Sequence, residues 1–111
     1  MNRLNEKELR SAYDEIVRAA QGLEHGQISF LDGVRRLAGM RTLVSRLDHD
    51  PDFLLFVAID SQSDHLPGTA QREQCSAEWL AECDQEVSDL EAAWTSRVRD
   101  ACDVLVKRFS I

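Results

Sequence analysis

From Ser76 to Phe109 apolar residues return at steps of three and four: Leu80, Cys83, Val87, Leu90, Trp94, Val98, Ala101, Leu105 and Phe109, with charged residues between them. A strand repeats every two residues and a loop has no repeat, so the whole stretch is predicted to be one amphipathic helix. Such a helix needs a surface against its seam. The seam is only roughly four heptads long, and two further amphipathic segments also need cover, which favours an intramolecular bundle over a coiled-coil dimer.

The first of those segments carries Leu9, Ala12, Tyr13, Ile16, Val17 and Ala20, with Asn5 and Glu8 at capping-box spacing. Gly22 and Gly26 punctuate the turn that follows, and Ser29 is placed to cap a second helix striped by Phe30, Leu31, Val34, Leu37, Ala38, Val44 and Leu47. Gly33 and Gly39 lie inside it. Each costs about 1 kcal/mol relative to alanine, so packing has to hold this helix, and a glycine there admits a close neighbour.

Residues 50–67, DPDFLLFVAIDSQSDHLP, set an apolar run against a polar string. Periodicity does not separate a buried strand from a buried helix here, but Asp50 as N-cap, Pro51 at the first helical position and Asp52 in the first turn favour a helix over 51–60, buried on most sides. The polar string then forms a loop, and Pro67–Gly68 ends regular structure. The predicted fold is all-α: a small bundle of about four helices, with a long C-terminal helix, in a single domain over residues 1–111.

Thirteen basic against twenty acidic residues leave a formal charge of −7, with the acids spread along the chain. That balance disfavours nucleic acid and anionic membrane surfaces and favours a basic protein partner. No signal-like apolar region follows MNRLNEKEL, and no apolar run reaches the roughly 18 residues of a membrane span, so a soluble, cytoplasmic protein is expected. The odd set of Cys75, Cys83 and Cys102 fits no zinc spacing; Cys83 and Cys102 fall on the seam as small hydrophobes, whereas Cys75 lies in a loop. Arg35, Arg36, Arg41 and Arg46 share the second helix, where ion pairs with nearby acids suit the net charge better than nucleic acid does.

Asp48, His49, Asp50, Asp52, Asp60, Asp64 and His65 are donors of the kind a divalent metal accepts. The intervening helix, however, would hold the two ends of this cluster about 15 Å apart, and several of the acids are suited to capping and loop hydrogen bonds. There is no serine elbow, no cysteine–histidine motif and no phosphate-binding glycine loop. The expectation is therefore a non-enzyme with no catalytic residues, cofactor or metal; a metal-dependent hydrolase built on the Asp/His cluster is the weaker alternative.

FVAIDSQSDHLP, followed by Arg72, the Trp79–Leu80 pair and a long acidic helix ending in ACDVLV, resembles small bacterial proteins encoded beside polymorphic and contact-dependent toxin genes. The resemblance spans about residues 28–106, with Cys75 where an aromatic residue is expected after Arg72. It implies an immunity protein that binds and neutralises a cognate toxin. Candidate partner-binding residues are Asp48, Asp64, His65, Trp79 and Glu82: acids that would steer a basic toxin, and a tryptophan suited to anchoring it. The other class of function is a homodimeric helical adaptor, so both monomer and homodimer are open.

Overall fold

The computed structural model describes residues 5–45 and 49–110. In order they form α1 (Glu6–Glu24), α2 (Phe30–Val44), α3 (Leu54–Gln62), a short 3₁₀ segment (Thr69–Gln74) and α4 (Ala77–Phe109), with no strand among the described residues. The fold is the all-α bundle with a long final helix that the periodicity predicts.

α1 begins at Asn5, whose Oδ1 accepts from the Glu8 backbone N–H at 2.8 Å while its side-chain amide donates to the Glu8 carboxylate at 2.6 Å. The helix ends in a Schellman turn: Gly26 has φ +67°, the Gln27 N–H donates to the Gly22 carbonyl at 2.8 Å, and the Gly26 N–H donates to the Leu23 carbonyl at 3.4 Å. Gly22 thus belongs to α1, and only Gly26 needs the left-handed region. The two α2 glycines also differ. A Cβ on Gly33 would fall 2.4 Å from Leu23 Cγ, so this glycine lets α1 and α2 approach, whereas nothing lies within 4 Å of a Cβ on Gly39. α2 does not continue to Leu47 as the stripe predicts: Ser45 is extended, with φ −119° and ψ 141°, and ends the helix at Val44, while residues 46–48 themselves lie outside the described residues.

α3 starts later and ends later than Asp-Pro chemistry predicts. Asp50 does not cap it. Its Oδ1 accepts from the Asp52 N–H at 3.0 Å, the Phe53 N–H donates to its carbonyl at 3.0 Å, and its carboxylate is held by Arg108 from the far end of α4. With Asp50 occupied in this way, residues 50–53 form a turn and the helix begins at Leu54. Nor is α3 buried on most sides: Phe53, Phe56 and Ile59 enter the core, while Leu54 is 45% exposed and Ala58 faces solvent. After Pro67–Gly68 regular structure resumes at once as the 3₁₀ segment.

Ser76 caps α4 by accepting from the Trp79 N–H at 3.1 Å. Tyr13 of α1 packs against Phe109 near the end of α4, with ring centroids 5.1 Å apart and the planes tilted by 43°, and the last turn of α1 lines a cavity with Thr95 and Val98, so the two helices run antiparallel. The 19 residues of α1 span about 28 Å against about 50 Å for the 33 of α4. α1 therefore stops about halfway. Below that point Val98, Cys102, Leu105 and Phe109 are buried with Ile16, Leu37 and Phe56, but above it Leu80, Val87, Leu90 and Trp94 are only half-buried. The seam is core mainly in its second half; in the first, Cys83 is the seam residue that is buried.

Candidate partner interface

The loop after α3 is fixed from α2. Arg35 donates to the main-chain carbonyls of Ser63 at 2.6 Å and Leu66 at 2.9 Å, and its Nε lies 3.8 Å from Asp60. A cation satisfies the carbonyl end of a helix and complements its dipole, so α2 closes the C-terminus of α3. Ser63 is fully buried, and its hydroxyl donates to the Ile59 carbonyl at 2.7 Å. Held in this way, the loop meets the uncovered half of α4, where His65 pairs with Glu86. From the 3₁₀ segment, Arg72 grips Asp84 with two hydrogen bonds of 2.8 and 3.1 Å. Each partner stabilises the other's charged form: Asp84 sits below the usual carboxylate range and Arg72 above its own.

This half of α4 is also the acidic half. Between Ala77 and Ser96 stand Glu78, Glu82, Asp84, Glu86, Asp89 and Glu91 with no lysine or arginine, so the segment carries −6 of the chain's formal −7. Acids near a helix N-terminus suit its dipole. That accounts for Glu78 alone, because the effect fades after the first turn. Glu78, Glu82, Glu86 and Asp89 follow at steps of four, four and three, placing like charges on one face, where each such pair costs a few tenths of a kcal/mol. Among the described residues Glu78, Glu82, Asp89 and Glu91 have no cationic partner. Beside them Trp79 is 43% exposed, and Trp94 is half-buried under the Arg97 guanidinium at 4.4 Å.

Of the predicted partner-binding residues, His65, Trp79 and Glu82 meet on this half of α4, His65 through its bond to Glu86, one turn beyond Glu82. Asp64 is exposed beside His65, and Asp48 lies outside the described residues. Glu78, Asp89 and Glu91 complete the patch but were not among the predicted residues. Counting charge in windows would have found them, since the acids look evenly spread only over the whole chain. Within the Asp/His cluster, Asp50 and Asp52 engage Arg108, Asp60 lies near Arg35 and His65 bonds Glu86. No three metal-ligating side chains converge among the described residues. The α2 arginines are only partly used in ion pairs: Arg35 mainly binds carbonyls, Arg41 donates to the Ala38 carbonyl, and Arg46 is outside the described residues.

All three cysteines are free. Burial pushes the Cys102 thiol up to about 12 and raises that of Cys83, so both act as apolar groups. No described helix is long and apolar enough to cross a membrane. Comparison with protein-family models, curated proteins and solved structures finds no match.

Proposed function

We propose that the chain is an immunity protein: a cytoplasmic inhibitor that binds one cognate toxin domain of basic surface charge and blocks it without turnover. The observation that carries this reading is the coincidence, on one half of α4, of a half-covered apolar seam, an exposed tryptophan and nearly all of the net charge. Desolvated aromatic anchors slow release, and complementary charge speeds encounter and rejects wrong partners. A fold that leaves Glu82, Asp89 and Glu91 without a cationic partner gains from a cationic ligand, which would relieve the repulsion among these acids. The resemblance of FVAIDSQSDHLP to toxin-associated proteins supplies the class of partner.

The same seam supports the homodimer less well. A two-fold contact would set Glu78, Glu82, Asp89 and Glu91 against their own copies, and like charges across an interface are costly.

The test is binding to the toxin domain encoded beside the gene, with association and dissociation rates followed as salt is raised. The expected result is tight one-to-one binding whose association slows with salt, and a further slowing in the E78K/E82K variant. Absence of binding and of protection of toxin-expressing cells refutes the immunity function. A stable dimer that buries Trp79 in the absence of toxin puts the adaptor in its place.

A further inference from the structure

Where α1 ends against α4, a cavity of about 320 Å³ opens at the edge of the acidic patch. Leu23, Ile28, Phe30 and Val98 form its apolar walls, and Glu24, His25, Glu91 and Arg99 bring polar groups to it. Glu24 is oddly placed. It is the last residue of α1, whose final turn has no basic residue, and a carboxylate is disfavoured at the negative end of a helix. Glu24 is partly exposed, but its Oε1 is buried with no hydrogen-bond partner, and a buried oxygen left unpaired is costly. Neither Glu24 nor Glu91 has an ion-pair partner among the described residues, and Arg99 on the same wall pairs with neither.

Glu24 and Glu91 share this cavity with the apolar side chains of Leu23, Ile28, Phe30 and Val98 and with Arg99, and a hard inorganic cation, which surrounds itself with oxygen, makes no use of such apolar neighbours. Together the carboxylates and the apolar walls match a different shape: a cationic head on a methylene stem. We propose that this cavity receives a lysine or arginine side chain of the partner, with its stem against Leu23, Ile28, Phe30 and Val98 and its charge on Glu24 and Glu91. The inference rests on the basic partner proposed above and deepens it by naming a point of contact. A cation seated there also offsets the unfavourable position of Glu24 at the end of α1, a gain that an exposed ion pair lacks.

The experiment needs no toxin. The isotopically labelled full chain is titrated with N-acetyl-arginine methylamide, N-acetyl-lysine methylamide and the uncharged N-acetyl-norleucine methylamide, following the backbone amides of Glu24, Gly26, Thr95 and Val98. Saturable shifts with at least one cationic probe and none with the norleucine compound are expected. E24Q and E91Q should each weaken that binding about fivefold or more, the loss of one charge-assisted contact, while R99Q leaves it at least as strong. E24Q removes a misplaced charge, so it should fold as well as the parent chain. Equal response to the neutral probe, indifference to E24Q, or no saturable shift with either cation overturns the proposal. Binding seen only in R99Q also overturns it, because Arg99 itself would then fill the cavity. If the probe binds as expected and the toxin does not, the cavity stands and the immunity function falls; if the toxin binds and the probe does not, the reverse holds.

Discussion

Replacing Arg108 with leucine should cost the fold about 2–3 kcal/mol, because it strands a carboxylate that is almost wholly out of water. Asp50 is 3% exposed, and Arg108 holds it with a hydrogen bond of 3.0 Å to Oδ1 and an ion-pair contact of 2.9 Å to Oδ2. The guanidinium also reaches Asp52 at 2.8 Å. The hydrogen bond from Arg108 is the main reason that Asp50 is held down to about 2 from 3.8; burial opposes it, and Ser45 and the Asp52 N–H assist. At about 1.4 kcal/mol per unit, that lowering corresponds to about 2 kcal/mol of stability. The 34% exposure of Arg108 argues against a larger figure. For a domain of this size the loss in Arg108→Leu should lower Tm by about 8–12 °C. Because the folded-state pKa is depressed, the stabilisation is present above about pH 4 and is lost as pH falls toward 2. Urea unfolding of the parent chain and Asp50→Asn from pH 6 downward should therefore show a stability gap that narrows between about pH 4 and pH 2. The double variant should be more stable than the sum of the two single losses predicts, since no buried charge remains to be stranded. A loss below about 0.5 kcal/mol in Arg108→Leu, or a gap independent of pH, refutes this account of the Asp50 site.

The two α2 glycines should respond oppositely to alanine: Gly33→Ala is expected to destabilise by about 1–3 kcal/mol through the clash with Leu23, and Gly39→Ala to stabilise by about 0.5–1 kcal/mol, both readable by chemical denaturation. Leu105→Ala, in the fully buried half of the α4 seam, should cost about 3 kcal/mol or more, whereas Leu90→Ala, in the half-covered part, should cost about 1–1.5 kcal/mol; equal losses would mean that the seam is evenly packed. Trp79→Ala should leave stability within about 0.5 kcal/mol of the parent while weakening binding to the proposed toxin partner by about 2 kcal/mol or more, as measured by calorimetry.

Elements with a local signature were legible in the sequence: the Asn5 and Ser29 caps and the three-four repeat of α4 depend on residues close in the chain. The start of α3 was not. Asp50-Pro51-Asp52 carries sound helix-start chemistry, but Arg108, 58 positions away, takes the Asp50 carboxylate, and no local rule anticipates such a competitor. The depth of the α4 seam was hidden for a related reason. Periodicity identifies the face that turns inward but not how far a neighbour extends along it, and here the end of α1 at Glu24 decides that. His65 and Trp79 could be singled out because loop polarity and an exposed-phase tryptophan are sequence properties, and the structure brings them with Glu82 to one half of α4. The cavity at Glu24 was not, because it arises where two helices distant in sequence meet.

The Arg35 contact changes what FVAIDSQSDHLP signifies. The guanidinium binds the carbonyls of Ser63 and Leu66, groups that every residue type possesses, and Ser63 is the polar side chain of the string that is wholly enclosed. Ser61, Gln62 and Asp64 point to solvent from a backbone held by a neighbour rather than by their own side chains. Arg35 and Ser63 thereby hold the loop's shape, so Ser61, Gln62 and Asp64 can be substituted at little cost to the bundle, and the exposed chemistry of the loop is separated from its conformation.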